Sequence, residues 1–434
     1  MNIRTIRIGV VGLGTVGAAL VESLQANAGI IRADVGAEVV IARIAEKDAT
    51  RRKSIHAPGT VLSLDWRDLV ADRDIDIVVE LMGGTSAARD LVLASLRAGK
   101  HVITANKALL ANHWTEVLTE AHKAGRAVGF EASVMAGVPV IHVLQSGLSG
   151  HRISAISGIL NGTSNFILTR IGENGVDRRQ ALEEARQKGF CEADPSLDLE
   201  GFDAAQKLAI LGSLVLGRWL PPQDVHREGI GNLEKEDLLE ARNSFGYVLK
   251  PLAILKRRAT GVEARVQPTF LDKRSPLAEV SREFNALLIE SDAAGPITLI
   301  GKGAGGAPAA SGVLADIVEI ARRIRHADTG ASVPRLPRPE HVHVLPYDQL
   351  ESRFFLRFTV CDRPGVLSKI FRCLSSERIS IANSEIRNTP DGATGLVYAA
   401  TYRTHAKAVR KALKTIDVQP ALVKRKTLMV PIQE

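Results

Sequence analysis

The sequence predicts an α/β protein: a doubly wound parallel sheet first, an α+β body next, and a small βαββαβ module at the end. Three observations carry that prediction. Residues 6–24, IRIGVVGLGTVGAALVESL, pass from an apolar strand through a glycine turn into apolar residues at helical spacing. Strand-like and helix-like segments then alternate to about residue 105. After a proline-rich stretch, residues 353–434 alternate again on a shorter scale.

The 434 residues suggest about three domains at roughly 150 residues each. Hydrophobic residues make up 45% and charged residues 24%, the balance of an ordinary folded soluble chain. The net charge of +8 is spread along the chain without a run of like charges, so a nucleic-acid-binding arm is not expected. It is compatible with anionic small ligands, although a general surface bias explains it as well. Cys191, Cys361 and Cys373 show no CxxC or metal-ligand spacing, as expected of reduced thiols in a cytoplasmic protein. No signal-like core opens the chain, and no apolar run approaches the ~20 residues that would span a membrane.

In the first element, Gly12, Thr15, Val16 and the glycines at 14 and 17 form GxGxxG between a strand and a helix, the context of a dinucleotide fingerprint. Gly12 permits the tight turn, Gly14 lets backbone approach a pyrophosphate, and Gly17 lets the helix lie close to the strand. The helix start then offers free N–H groups to phosphate. Strands follow at EVVIARIA (38–45), DIDIVVELMGG (74–84) and HVITA (101–105), with a helix at AARDLVLASLRAG (87–99). Near the end of EVVIARIA, Arg43 suits a 2′-phosphate and favours NADP, while Glu46 and Asp48 leave NAD open. Gly83 and Gly84 fall at the carboxyl end of a parallel strand, where ligands bind in this architecture. Thr85 can cap the next helix or donate to a ligand. Lys107 falls at the same sheet edge, placed to bind phosphate, orient a substrate or move a proton.

GFCEADPSLDLEGFDAAQK (189–207) gathers Glu192, Asp194, Asp198, Glu200 and Asp203 before Lys207. Such a cluster is either a solvated face or the wall of a polar site. Asp203 and Lys207 are four apart on a helix whose remainder is strongly apolar, which favours a site over bulk water. ILNGTSNFIL (159–168) reads as a strand interrupted by a polar stretch at 161–165; Gly162 and its neighbours there offer donors to a substrate, or form a turn with a helix cap.

Taken together, GLGTVG, ELMGG, TANKALL, FEASVMAGVPVI, ILNGTSNFIL and the 189–207 segment resemble homoserine dehydrogenase, over residues 1 to about 325. The resemblance implies a Rossmann-type NAD(P)-binding domain at 1–130, completed by a return segment at about 305–330. A substrate-binding and dimerisation domain would occupy 131–304. It implies interconversion of L-aspartate 4-semialdehyde and L-homoserine with NADP or NAD, by a homodimer or homotetramer. Glu192, Asp198, Asp203 and Lys207 match its substrate-site positions, and Lys107 its lysine beside the cofactor. A monovalent cation, usually sodium, would sit at Glu131, Val134, Ala136 and Val138, held largely by backbone carbonyls. In GKGAGGAPAASGVLADI (301–317), Gly305 and its neighbours would approach the nicotinamide. Lys302 stands where the family has proline, which leaves the shape of that loop in question. Between the two lysines, the resemblance favours Lys207 for proton transfer, with Lys107 as its partner.

RLPRPEHVHVLPYDQLES (335–352) reads as a linker, placed at 331–352. The module at 353–434 resembles an ACT domain, a ferredoxin-like regulatory fold. Its ligand loop would be Asp362 to Leu367, with Gly365 and Val366 in the turn and Asn383 as a polar contact. The implied effector is L-threonine; the rival reading is a dimerisation module. No kinase segment precedes residue 1, so a monofunctional form is expected. A semialdehyde dehydrogenase would need a catalytic cysteine, and Cys191 has no histidine nearby in the sequence. A nucleotide sensor would not need the 189–207 constellation.

Overall fold

The computed structural model describes residues 4–55, 57–191, 194–326, 342–388 and 394–433. The chain forms two compact units. The first comprises residues 1–153, 206–224 and 290–342, and the second residues 154–205, 225–289 and 343–434.

In the first unit, six parallel strands stand in the order β3-β2-β1-β4-β5-β6. They are β1 (Thr5–Val11), β2 (Glu38–Ala45), β3 (Val61–Ser63), β4 (Ile77–Glu80), β5 (His101–Thr104) and β6 (Val128–Gly129). β1 pairs with both β2 and β4, so the strand order reverses beside it and a crevice opens at the carboxyl edge. Ile6, Ile8 and Val10 of β1 are fully buried. They share a core with Leu20 and Val21 of the helix Thr15–Ala26 and with Val313 and Ile317 of the helix Gly306–Arg325. The return segment thus packs beside the first βα unit. β3 was not anticipated: three residues long, with Val61 and Leu62 about half exposed, it lacks the apolar run that signals a strand. The strand expected at 74–84 is only four residues, because Leu81 to Gly84 already turn over the edge.

The second unit holds an antiparallel-rich sheet in the order β11-β7-β9-β10-β17-β13-β15-β14. Its strands are β7 (Ile153–Ile159), β8 (His226–Arg227), β9 (Tyr247–Arg258), β10 (Gly261–Asp272) and β11 (Phe284–Ser291). After β12 (Gly295–Lys302) in the first unit come β13 (Glu351–Cys361), β14 (Ile381–Asn388), β15 (Thr394–Thr401), β16 (Thr404–His405) and β17 (Leu428–Gln433). The β9–β10 hairpin is paired over twelve residues. The last strands, in the order β17-β13-β15-β14 with helices Val366–Ser376 and Ala406–Asp417, make the ferredoxin-like βαββαβ arrangement read from the sequence. β17 also pairs parallel with β10, which fuses the terminal module to the hairpin in one sheet.

ILNGTSNFIL is not an interrupted strand. β7 stops at Ile159 and a helix runs from Gly162 to Asn174. Asn161 caps it by accepting the Ser164 N–H at 2.8 Å, satisfying one of the free donors of the first turn. Among the described residues no helix is long and apolar enough to cross a membrane.

Candidate active site

The carboxyl edge of the parallel sheet is shaped by glycines. Gly12 takes φ +102°, and a Cβ there would lie 2.6 Å from the Leu81 carbonyl oxygen. A Cβ on Gly17 would lie 2.1 Å from the Gly12 oxygen. Around Gly14 the reverse holds: a Cβ would meet nothing within 4 Å. Gly14 begins the helix Thr15–Ala26, and no side chain caps the N–H groups of its first turn. That cradle fits a dinucleotide pyrophosphate. Gly305, with φ +116°, starts the return helix, and a Cβ on Gly306 would lie 2.8 Å from the Thr15 side chain. The structure therefore brings the 305–306 turn to the phosphate-binding turn.

At the adenosine end, Arg43 is half-buried and donates to Asp72 at 3.2 Å. The residue at the end of β2 is Glu46, whose Oε2 accepts the Leu13 N–H at 2.6 Å. Arg51 and Arg52 lie beside it: Arg51 is 3.9 Å from Glu46, and Arg52 donates to the Glu46 carbonyl at 2.6 Å.

Beneath the same edge lies a network the sequence reading missed. Glu80, fully buried at the end of β4, accepts from Thr104 Oγ1 at 2.6 Å and from Met82 N at 2.8 Å. Burial pushes its carboxyl up to about 7. Asn106 donates to the Gly84 carbonyl at 2.6 Å and caps the helix Lys107–Ala124 by accepting from Leu109 N. The Gly83–Gly84 turn and the Lys107 backbone are thus tied together, with Lys107 half-buried at the first position of its helix. Thr85 precedes the helix Ser86–Arg97 and makes no side-chain cap.

In the second unit residues 194–205 fold back on the start of the helix Gly162–Asn174. The Asn161 amide nitrogen donates to Asp198 Oδ1 at 2.7 Å and to Asp203 Oδ2 at 2.9 Å. One side chain therefore uses both its amide protons to hold two carboxylates that sequence spacing could only list. The Ser164 hydroxyl donates to the Asp198 carbonyl, and the Thr163 hydroxyl to that of Phe190. Gly162 is required for packing, since a Cβ would lie 2.7 Å from the Glu283 oxygen. Asp194 accepts from Ser196 N and shapes the turn, while Glu200 is exposed. Asp203 and Lys207 lie one turn apart on the helix Phe202–Leu216, and Lys207 is buried. Glu192 lies outside the described residues. Asn161 had a detectable signal: an asparagine three residues before a serine, at the foot of an apolar helical run.

The loop after Glu131 has two left-handed non-glycine residues, Met135 (φ +57°) and Ala136 (φ +38°). Such backbone costs roughly 1–3 kcal/mol per residue and clusters at functional sites. The Val138 carbonyl accepts from Val140 N at 2.7 Å. Both Glu131 carboxylate oxygens accept backbone N–H groups, from Ile141 at 2.9 Å and His142 at 2.8 Å. A cation on these carbonyls would share the Val138 oxygen with Val140 N–H, and a carbonyl has a second lone pair for that. Burial pushes Glu131 up to about 7, and hydrogen bonds to Asp316 and Glu319 push His142 up to about 10. In the terminal module, Asp362 and Gly365 are exposed in the turn after β13, Val366 and Leu367 begin the next helix, and Asn383 is exposed on β14.

A glycine turn at the reversal point of a parallel sheet, at the start of an uncapped helix, defines a dinucleotide-binding protein of the Rossmann class. The family description "Homoserine dehydrogenase, NAD binding domain" matches residues 12–131, and "Homoserine dehydrogenase" matches residues 139–318. A homoserine dehydrogenase of Neisseria gonorrhoeae is 37% identical over 430 residues, covering 98% of each chain. One of Pseudomonas aeruginosa is 37% identical over 420 residues, covering 95% of this chain and 96% of the other. The crystal structure of a homoserine dehydrogenase from Thiobacillus denitrificans superposes with a TM-score of 0.93 at 36% identity, covering 100% of this chain and 99% of that one. A hyperthermophilic archaeal homoserine dehydrogenase, solved in complex with NADPH, matches at a TM-score of 0.61 and 28% identity, covering 73% of this chain and 97% of that one. The chain belongs to the homoserine dehydrogenase family, oxidoreductases that act on a CH–OH group with a nicotinamide cofactor.

Proposed function

We propose that the chain interconverts L-aspartate 4-semialdehyde and L-homoserine, within threonine, methionine and isoleucine biosynthesis, and that Asn161, Asp198, Asp203 and Lys207 form the substrate machinery. The observation that carries this is the Asn161 amide joining Asp198 to Asp203, one helical turn before buried Lys207. A carboxylate whose one oxygen is held by an amide keeps the other for the substrate α-ammonium, a charge-assisted hydrogen bond. Asp198 takes that role, together with Glu192. Asp203 positions Lys207. When bound, the nicotinamide supplies or accepts the hydride at the carbon that is aldehyde in one direction and alcohol in the other. Lys207 gives its proton to the carbonyl oxygen in reduction and removes the hydroxyl proton in oxidation. Lys107 supports it from the sheet edge, where a second positive charge favours developing oxyanion.

The residues that would hold the cofactor are Gly12 to Gly17, Gly84, Lys107 and Gly305. For NADP, the sequence expectation, Arg43 is engaged by Asp72, and Arg51 and Arg52 beside Glu46 offer further positive charge; Glu46 suits the free ribose hydroxyl of NAD. We read the chain as accepting both. A sodium ion at the carbonyls of Val134, Ala136 and Val138, beside Glu131, would brace this loop. Threonine at Asp362, Gly365, Val366, Leu367 and Asn383 would act as a feedback inhibitor in a homodimer or homotetramer working in the cytoplasm. Incubation with L-homoserine and NADP⁺ or NAD⁺ tests the reaction: reduced cofactor accumulates, and its absence with both overturns the reading. Calorimetric titration tests the effector, and no heat at millimolar threonine would remove it.

A further inference from the structure

Three side chains of the first unit converge without belonging to the chemistry above. His142 Nε2 lies 3.3 Å from Asp316 Oδ1 and 2.6 Å from Glu319 Oε2. The three donor atoms lie within 4.8 Å of one another. Each ligand is anchored at its far end. The His142 Nδ1 is 3.1 Å from Glu131 Oε2, and Glu131 is itself clamped by the N–H groups of residues 141 and 142. Asp316 Oδ2 accepts the Glu131 N–H at 2.9 Å, which turns Oδ1 towards the imidazole. Arg323 holds the other oxygen of Glu319. Asp316 is 3% exposed and nests against Gly129, where a Cβ would fall 2.7 Å from its own.

We propose that His142, Asp316 and Glu319 bind a divalent first-row transition ion such as Zn²⁺. A metal-bound histidine donates its second ring N–H to a carboxylate, which is the place of Glu131 here. An ion entering here displaces the Nε2 proton that His142 shares with Asp316 and Glu319, releasing it to solvent; the resulting neutral imidazole and two carboxylates balance a 2+ charge and suit zinc, manganese or iron. His142 and Glu319 are part-exposed, with side chains 24% and 31% accessible, so an ion has a way in and positions left for water. The site differs from the carbonyl loop proposed for sodium: its donors are side-chain atoms, and hard monovalent ions do not compete for imidazole. Its role is structural. It joins the return helix Gly306–Arg325 to the segment after Glu131, so the ion stabilises the folded state by mass action.

The test is calorimetric titration of the chelator-treated full chain with Zn²⁺, in buffer containing sodium. One equivalent is expected, and the thermal midpoint should rise with zinc. Glu319→Gln should weaken binding by at least about tenfold. His142→Lys keeps a positive charge for the acids; it should fold with the stability of metal-free protein yet lose the zinc equivalent and the thermal response. No stoichiometric binding by the wild type overturns the proposal, and so does binding that persists in His142→Lys, which would mark adventitious sites elsewhere.

Discussion

At the edge of the parallel sheet the binding surface is backbone, whereas in the second unit it is side chains. The first depends on what Gly12, Gly14 and Gly17 lack, and on a helix start that no side chain caps. The second depends on Asn161 drawing Asp198 and Asp203 together across 37 and 42 residues of sequence. Local backbone geometry is written in residues next to one another; convergence of side chains is written in the tertiary fold. The two regions should therefore fail differently when they are cut.

The largest effect is expected at the backbone site. Gly17→Val places side-chain atoms where a Cβ alone would lie 2.1 Å from the Gly12 oxygen, a rigid backbone group. The turn must open, and cofactor binding, followed by fluorescence of the reduced nicotinamide, should be lost. Next comes Asn161→Ser. Serine still caps the helix, so thermal stability should stay within about 1 kcal/mol. The two carboxylates lose their shared donor, and kcat/KM for homoserine should fall roughly 10–100-fold, with KM for cofactor unchanged. A parallel loss of stability would mean that Asn161 only holds the fold. Glu46→Gln should be smaller still. It removes a negative charge from the ribose end, so the ratio of NADP to NAD efficiency should rise by about tenfold. An unchanged ratio would place the discrimination elsewhere.

The last effect acts on stability rather than on turnover, and concerns pH. Burial raises the Glu80 carboxyl to about 7 from an ordinary value of 4.5. Between those values the folded chain holds the proton more tightly than the unfolded one. Its contribution to stability therefore declines as pH rises through the window and levels off above about 7. Glu131, raised to about 7, and Asp237, raised to about 6, slope the same way, while buried His101, lowered to about 4, slopes oppositely between 4 and its usual 6.5. Glu80→Gln should flatten part of the fall in thermal midpoint between pH 5 and 7, by at most about 3 kcal/mol. A variant as steep as the wild type would mean that Glu80 titrates normally.

Legibility in the sequence followed the same division. The glycine turn, the strand at 38–45 and the helix carrying Asp203 and Lys207 stand where periodicity puts them, since each is a local pattern. β3 escaped because a short, exposed edge strand has little apolar signal. ILNGTSNFIL misled because an apolar run on either side of a cap looks the same whether it continues as strand or helix. The partner of Arg43 was invisible to spacing, because Asp72 comes 29 residues later. Glu80 went unassigned, and Asn161 was read as a cap or a substrate donor without its carboxylate partners, because their importance lies in what they touch.

The most direct test compares turnover of Lys207→Ala with that of Lys107→Ala under saturating homoserine and cofactor. Loss of the proton-transfer group should lower kcat by about 10²–10⁴-fold in Lys207→Ala, with cofactor affinity retained. Lys107→Ala should show a smaller loss, with a rise in KM for cofactor. Wild-type turnover in Lys207→Ala, with the large loss in Lys107→Ala instead, would contradict the assignment of the proton to the carboxylate-flanked helix.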